Sequence, residues 1–442
     1  MQNSNDLLSN ALIKAEPVSL WRRYKQSINF KSDLKSIFFR PHDRHATLDG
    51  ARAITILLMV LFHVLFGIAK ILGDKVEGFI QEFPWYLNWM WQAQGSDPLF
   101  VVSGLLVSYT LFRGFDKTGS INFKDFYKRR IIRIYPLFLI ALIMYFPIGV
   151  RHWDYIISNL FFSSNFFADR KPIIPVAWSL EVQMQFYFLL PFLCWLVYAV
   201  RWRIALLVSL IVAAVAYRYS VVSNNPSLYQ TPFYQIVFDE DFARLLSKNL
   251  YYHLDVRVGG FLMGTLVAYL HHYHGARITA YFNRHLIVNG LILLLGLYLI
   301  YWSFSFPLIN KQAEFYSPFV PEANKWFLVI NRYTYSFAMS ILMLLALCPA
   351  GLSKTVKWFL SWPIWHPFGQ LIYPIYLFHF IFIVFGAAAA YGTTDKHALN
   401  WATVSQVLLV YAWALLFTMI FASLMHIYVE KPFLKLRDKK TV

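Results

Sequence analysis

Arg52 and His63 lie in the first long apolar stretch, in Asp49-Gly50-Ala51-Arg52 and Leu61-Phe62-His63. Eleven helical steps turn roughly 1100°, about 20° beyond three full turns, so both side chains share one helix face, about 16 Å apart along the axis. An arginine at the mouth of such a helix can hold a phosphate. A histidine nearer mid-bilayer can take a proton from a hydroxyl nucleophile. Ionised groups are costly in hydrocarbon, which makes both functional candidates. A histidine that merely hydrogen-bonds neighbouring helices is the competing reading.

Further polar groups recur at intervals. Asp97, in Gly95-Ser96-Asp97-Pro98, is expected at the depth of His63 if the first two spans form a hairpin. There it would orient the imidazole and stabilise its protonated form. Pro98 is expected to break its helix locally, and Ser103-Gly104 to mark close helix packing. Arg129, Arg130 and Arg133 stand at i, i+3 and i, i+4 spacing, able to bind the phosphates of a nucleotide-bearing donor or simply to mark a basic loop. Trp178, Glu181 and Gln185 form one stripe, followed by Tyr187. Glu181 there either positions an acceptor hydroxyl or bonds between helices. Asp255 and Arg257 are expected to pair structurally. His379 lies in a late apolar run, and Glu430-Lys431-Pro432-Phe433 reads as a helix stop and cytoplasmic anchor.

The elements that must carry these residues are transmembrane helices. The 442-residue chain is 58% hydrophobic and 14% charged, whereas soluble chains are about a quarter charged. Apolar runs at 53–73, 86–112, 132–150, 177–200, 204–222, 253–271, 286–302, 326–349, 367–391 and 403–428 are each long enough to cross about 30 Å of hydrocarbon. The expected fold is therefore all-α, a polytopic bundle of about ten spans. The 155–167 stretch is too short and reads as re-entrant or interfacial. With the N-terminus inside, cytoplasmic segments hold 27 Lys and Arg and outer loops hold 9, so both termini are expected to be cytoplasmic. The net charge of +17 follows this loop pattern, which argues against nucleic acid as a partner. Residues 1–47 form a basic lead that suits an anionic membrane surface or a disordered tail; 48–436 form the membrane domain and 437–442 a short tail. Met1 to Asn10 are polar, without the apolar core of a cleavable leader. Cys194 and Cys348 are too far apart to suggest a metal motif, and no metal is expected.

Taken together, these segments resemble acyltransferase family 3, the membrane O-acyltransferases of bacterial envelope sugars. Arg52 through His63 is similar to the family's Arg/Lys-x10-His signature, and Asp97 to Gly104 resembles its Asp-x-Phe-Phe-x-x-Ser-Gly stretch. Arg130 to Pro136 resembles Arg-x-x-Arg-x-x-Pro. Trp178-Ser179-Leu180 with Gln185-Phe186-Tyr187 is similar to its Trp-Ser-Leu…Gln-Phe-Tyr element. Tyr373 to His379 and Glu430 to Phe433 resemble its closing motifs. The chain departs from the pattern at Gln183 and Met184, where many relatives carry Glu, and at Pro98, which replaces an apolar residue.

The resemblance implies an acyl-coenzyme A donor, usually acetyl, no permanently bound cofactor, and an extracytoplasmic glycan or glycolipid acceptor. It implies His63 as the catalytic base, and Arg52 with Arg129, Arg130 and Arg133 as donor-binding residues. Asp97 and Glu181 join His63 as catalytic candidates. Trp178, Gln185, Tyr187 and His379 are the expected acceptor-binding residues. The expected location is the bacterial cytoplasmic membrane. No hydrolase-like domain is expected after the membrane domain, and a second transfer step is then expected to need a separate partner. Two alternatives stay open: a secondary transporter with His63, Asp97 and Arg257 as an intramembrane relay, and a non-catalytic scaffold.

Overall fold

Apolar backbone in lipid must satisfy its hydrogen bonds internally, and helices do so within a single segment. The computed structural model describes residues 19–40, 46–72, 95–147, 154–167, 173–236, 239–305, 319–393 and 402–438. Two short helices, α1 (Leu20–Ser27) and α2 (Phe30–Phe38), precede the bundle. The long helices then begin with α3 (Ala46–Leu72), α4 (Ser96–Thr118), α5 (Phe123–Tyr145), α6 (Ala177–Ala199) and α7 (Arg203–Ser223). They continue with α8 (Val258–Arg284), α9 (Leu286–Phe304) and α10 (Pro321–Leu347). Short α11 (Lys354–Leu360) leads to α12 (Ile372–Tyr391), α13 (Val404–Met425) and terminal α14 (Lys431–Asp438).

Among the described residues, eight helices are long and apolar enough to span a bilayer. The other two long ones, α5 and α8, carry basic and polar turns at one end. These ten correspond to the ten spans read from the sequence. Residues 86–94 of the second span, like 1–18, 41–45 and 439–442 of the terminal segments, lie outside the described residues.

Glycines set the central seam. A Cβ on Gly104 would lie 2.2 Å from the carbonyl oxygen of Phe261, and one on Gly264 would lie 2.1 Å from that of Val101. Only a residue without Cβ lets α4 and α8 approach this closely. The two helices run parallel: Gly260 faces Phe100 near one end, and His272 meets Asp116 at 2.6 Å near the other. Ser108 and Thr265 hydrogen-bond across the seam at 2.9 Å. At the periphery, α9 turns Ile287, Leu291 and Leu294 outward, as suits contact with lipid.

Two local expectations are corrected. Pro98 does not break a helix: it occupies the first turn of α4, where a missing N–H leaves no bond unmade. Glu430-Lys431-Pro432-Phe433 is not a stop. The chain passes through a π-turn, His426–Glu430, and continues as α14, with Pro432 tolerated at the second position of the new helix. The basic lead over Leu20–Phe38 is folded: Asp33 pairs with Lys431 at 2.8 Å and Lys435 at 2.9 Å on α14, and the Tyr24 hydroxyl donates to the Tyr428 carbonyl. Trp21, Phe38 and Phe39 remain exposed beside it. Both cysteines are buried.

Candidate active site

The core of the candidate site is a pair of imidazoles. His379 is fully buried on α12, and its Nδ1 lies 3.0 Å from the carbonyl oxygen of Ile375 and 2.9 Å from that of Tyr376. Carbonyl oxygens only accept, so this nitrogen carries the proton. His379 Nε2 lies 3.0 Å from His63 Nδ1. With both rings neutral, His379 Nε2 has only a lone pair to offer, so His63 Nδ1 must donate to it. The proton of His63 is thereby fixed on Nδ1, and Nε2 is left as its basic nitrogen. Two backbone carbonyls of α12, acting through His379, thus select the tautomer of His63.

Tyr376 joins this pair to the start of α6. Its hydroxyl lies 2.6 Å from the Val176 carbonyl and 2.9 Å from Ser179 Oγ. Tyr145 donates to the carbonyl of Leu377 at 3.0 Å, tying α5 to the same turn of α12.

Asp97 does not hold His63. Its carboxylate pairs with Arg257 at 3.1 Å and Arg332 at 3.4 Å, and Ser96 accepts from Arg257 at 3.0 Å. The two arginines enter from α10 and the start of α8. A carboxylate beside two buried guanidiniums is drawn to them more strongly than to a neutral ring. Asp255 does not pair with Arg257 either; it accepts from Tyr217 at 2.9 Å. The anticipated His63–Asp97–Arg257 relay is therefore divided between two sets of contacts.

Of the residues expected at the acceptor side, Glu181 and Gln185 hold a strap onto α6. Glu181, fully buried, accepts from Ser164 Oγ at 2.6 Å and the Asn165 amide at 3.0 Å. Gln185 donates to Asn165 Oδ1 at 2.8 Å and the Phe162 carbonyl at 3.0 Å. Asn165 donates onward to the Tyr252 carbonyl at 2.6 Å. The short 155–167 stretch is thus a helix and a turn clamped onto α6. Trp178 stacks near Arg257, 5.7 Å from its guanidinium, whereas Tyr187 faces Arg130 at 5.8 Å.

The basic residues divide as well. Arg52 pairs with Asp49 at 3.7 Å, and Asp49 also meets Arg40 at 3.4 Å and His366 at 2.8 Å. Arg129 pairs with Asp125 at 2.7 Å, and Arg130 lies over Phe126 and Tyr187, close enough to Arg437 to be repelled by it. Asp49, Arg40, His366, Arg332 and Arg437 were not singled out from the sequence. Asp49 carried a local signal, three residues before Arg52, and Arg332 another, as a charge inside the 326–349 apolar run.

An apolar cavity of about 440 Å³ is lined by Ala51, Ile54, Thr55 and Leu58 of α3 and by α9, α10 and α11. Its wall on α3 is roughly a third of a turn from the Arg52 and His63 face. This cavity is therefore not a passage joining those two residues.

The sequence model of acyltransferase family 3, described as an acyltransferase domain, matches residues 45–423. The chain belongs to acyltransferase family 3. The match covers α3 through most of α13 and takes in both histidines. Among curated relatives, the family 3 chain is similar to O-acetyltransferase OatA from Staphylococcus aureus strains NCTC 8325, COL and MRSA252, 22% identical over 370 residues in each case. The alignment covers 76% of this chain and 50% of each relative, so the chain spans about half the length of these proteins. No solved structure matches. The matched region coincides with the body of long apolar helices.

Proposed function

We propose that the protein is an O-acetyltransferase of the cell membrane that moves an acetyl group from cytoplasmic acetyl-coenzyme A to a hydroxyl of an envelope glycan or glycolipid. The observation that carries this reading is the fixed tautomer of His63, which presents Nε2 as a base at the second position of the family's Arg-x10-His signature. Relatives named O-acetyltransferase support the acetyl group.

In this reading Arg52 and the α5 arginines hold the donor's phosphates. His63 Nε2 takes the proton of the acceptor hydroxyl as its oxygen attacks the thioester carbonyl. The carbon–sulfur bond breaks, the acetyl–oxygen ester remains, and the imidazolium returns its proton to the departing thiolate. His379 keeps the His63 ring oriented through the step.

The test is transfer by purified protein in nanodiscs supplied with radiolabelled acetyl-coenzyme A and envelope glycan extract. Label should appear in glycan together with free coenzyme A thiol. Wild-type protein that binds the donor yet releases no thiol with any glycan fraction would reject the reading.

A further inference from the structure

Three helix starts meet at Arg257. The residue is itself the N-cap of α8. Its guanidinium touches Ser96 and Asp97 in the first turn of α4 and lies 5.7 Å from the ring of Trp178 in the first turn of α6. None of the three N-caps makes a side-chain capping bond. The positive end of each helix dipole therefore lies near this guanidinium.

The side chains add to that potential. Arg257 is 3% exposed and Arg332 is 7% exposed, against the single carboxylate of Asp97, itself 3% exposed. The group thus holds one excess positive charge in a buried setting. Arg332 is satisfied by Asp97 and by Tyr251, to whose hydroxyl it donates at 2.8 Å. Arg257 is not: among the described residues its Nε and Nη1 have no hydrogen-bond partner. Phe100, Trp178 and Tyr251 lie 5.2–5.7 Å from its guanidinium. Ring faces offset part of the charge but leave directed N–H donors unmet. A buried cation with open donors is costly unless an anion completes it.

We propose that Arg257 and Arg332 form a binding site for an anionic group, a carboxylate or phosphate, carried on the sugar acceptor. This rests on the acetyl-transfer reading. Trp178 and Tyr251, only partly buried, stand beside the cations as flat apolar platforms for the sugar ring. The acceptor rather than the donor is assigned here because of position along α4. Arg257 meets the first turn of that helix, whereas Arg129, Arg130 and Arg133 follow its other end, about 33 Å away along 23 residues.

The experiment is thermal unfolding of the full chain in nanodiscs, in chloride-free buffer at constant ionic strength. The probes are methyl glucuronide, glucose 6-phosphate, methyl glucoside and inorganic phosphate. At least one anionic sugar should raise Tm where methyl glucoside does not, and the shift should persist with saturating coenzyme A present. Arg257→Gln should weaken the fitted affinity about tenfold or more. Arg257→Lys, which keeps the charge beside Asp97, serves if the glutamine variant does not fold, and should weaken it as well. Stabilisation of each variant by coenzyme A reports an intact fold. Equal shifts from methyl glucoside, shifts from inorganic phosphate alone, loss of the shift with coenzyme A, or unchanged affinity in a folded variant would each overturn the assignment. A glucuronide shift without any acetyl transfer would leave this site standing and reject the catalytic reading. Transfer without an anion-dependent shift would do the reverse.

Discussion

His379 Nε2 lies 3.0 Å from His63 Nδ1, and the remaining nitrogen of His379 is committed to two backbone carbonyls. The pair is asymmetric: His379 positions, and His63 keeps a free basic nitrogen. General bases of this kind contribute about 10²- to 10⁴-fold to rate. His63→Gln is expected to lower kcat in that range while donor affinity, measured by coenzyme A binding, stays unchanged.

His379→Ala should cost less. It leaves the His63 ring free to turn and change tautomer, and loss of orientation is expected to lower kcat by about 10²-fold. As a positioning residue, His379 should also affect the pH profile, because a His63 released from its neutral neighbour titrates differently. A rate loss with an unmoved pH profile would remove His379 from this role.

Glu181 separates structure from acceptor binding. Removing its carboxylate in Glu181→Ala leaves the Ser164 hydroxyl and the Asn165 amide without their acceptor. The expected cost is about 2–4 kcal/mol, read as a lower Tm. A raised KM with unchanged Tm would instead make Glu181 an acceptor contact.

The α4–α8 seam predicts a packing failure. Gly104→Val would drive a side chain into the Phe261 carbonyl, 2.2 Å from the new Cβ. The expected penalty is at least about 2 kcal/mol, visible as a lower Tm and poor yield of folded protein. Wild-type Tm in this variant would show that the two helices are not held this close.

The link between the basic lead and α14 gives a pH dependence. Burial pushes the Asp33 carboxyl up, but hydrogen bonds from Lys431, Lys435 and the Asn29 amide outweigh this and hold it below its ordinary value. A depressed folded-state value means that the contact stabilises fully above the unfolded-state pKa of about 3.9 and weakens as pH falls below it. Hydrogen-exchange protection of Leu20–Phe38, corrected for intrinsic rates, should hold from neutral pH to about pH 5 and fall below about pH 4. Asp33→Asn should lack part of that protection already at pH 7.

What could be read from the sequence was what lies close along the chain. The Arg52 and His63 spacing follows from helical periodicity within one element, and the long apolar runs reveal the spans because lipid demands unbroken helices. The partner of His63 was not legible, since His379 lies 316 residues away and packing decides which polar groups meet. Asp97 was assigned to the wrong partner for the same reason: its arginines come from α8 and α10. Pro98 was readable in principle, because Gly95-Ser96-Asp97-Pro98 has the composition of a helix start. The long apolar run around it obscured that signal.

The most direct test of the central claim is cell-surface acetylation in cells producing His63→Ala at the same level of folded membrane protein as wild type. Loss of the acetyl group from surface glycans, with the fold verified by coenzyme A stabilisation, is the predicted result. Wild-type acetylation by a folded His63→Ala protein would contradict the account.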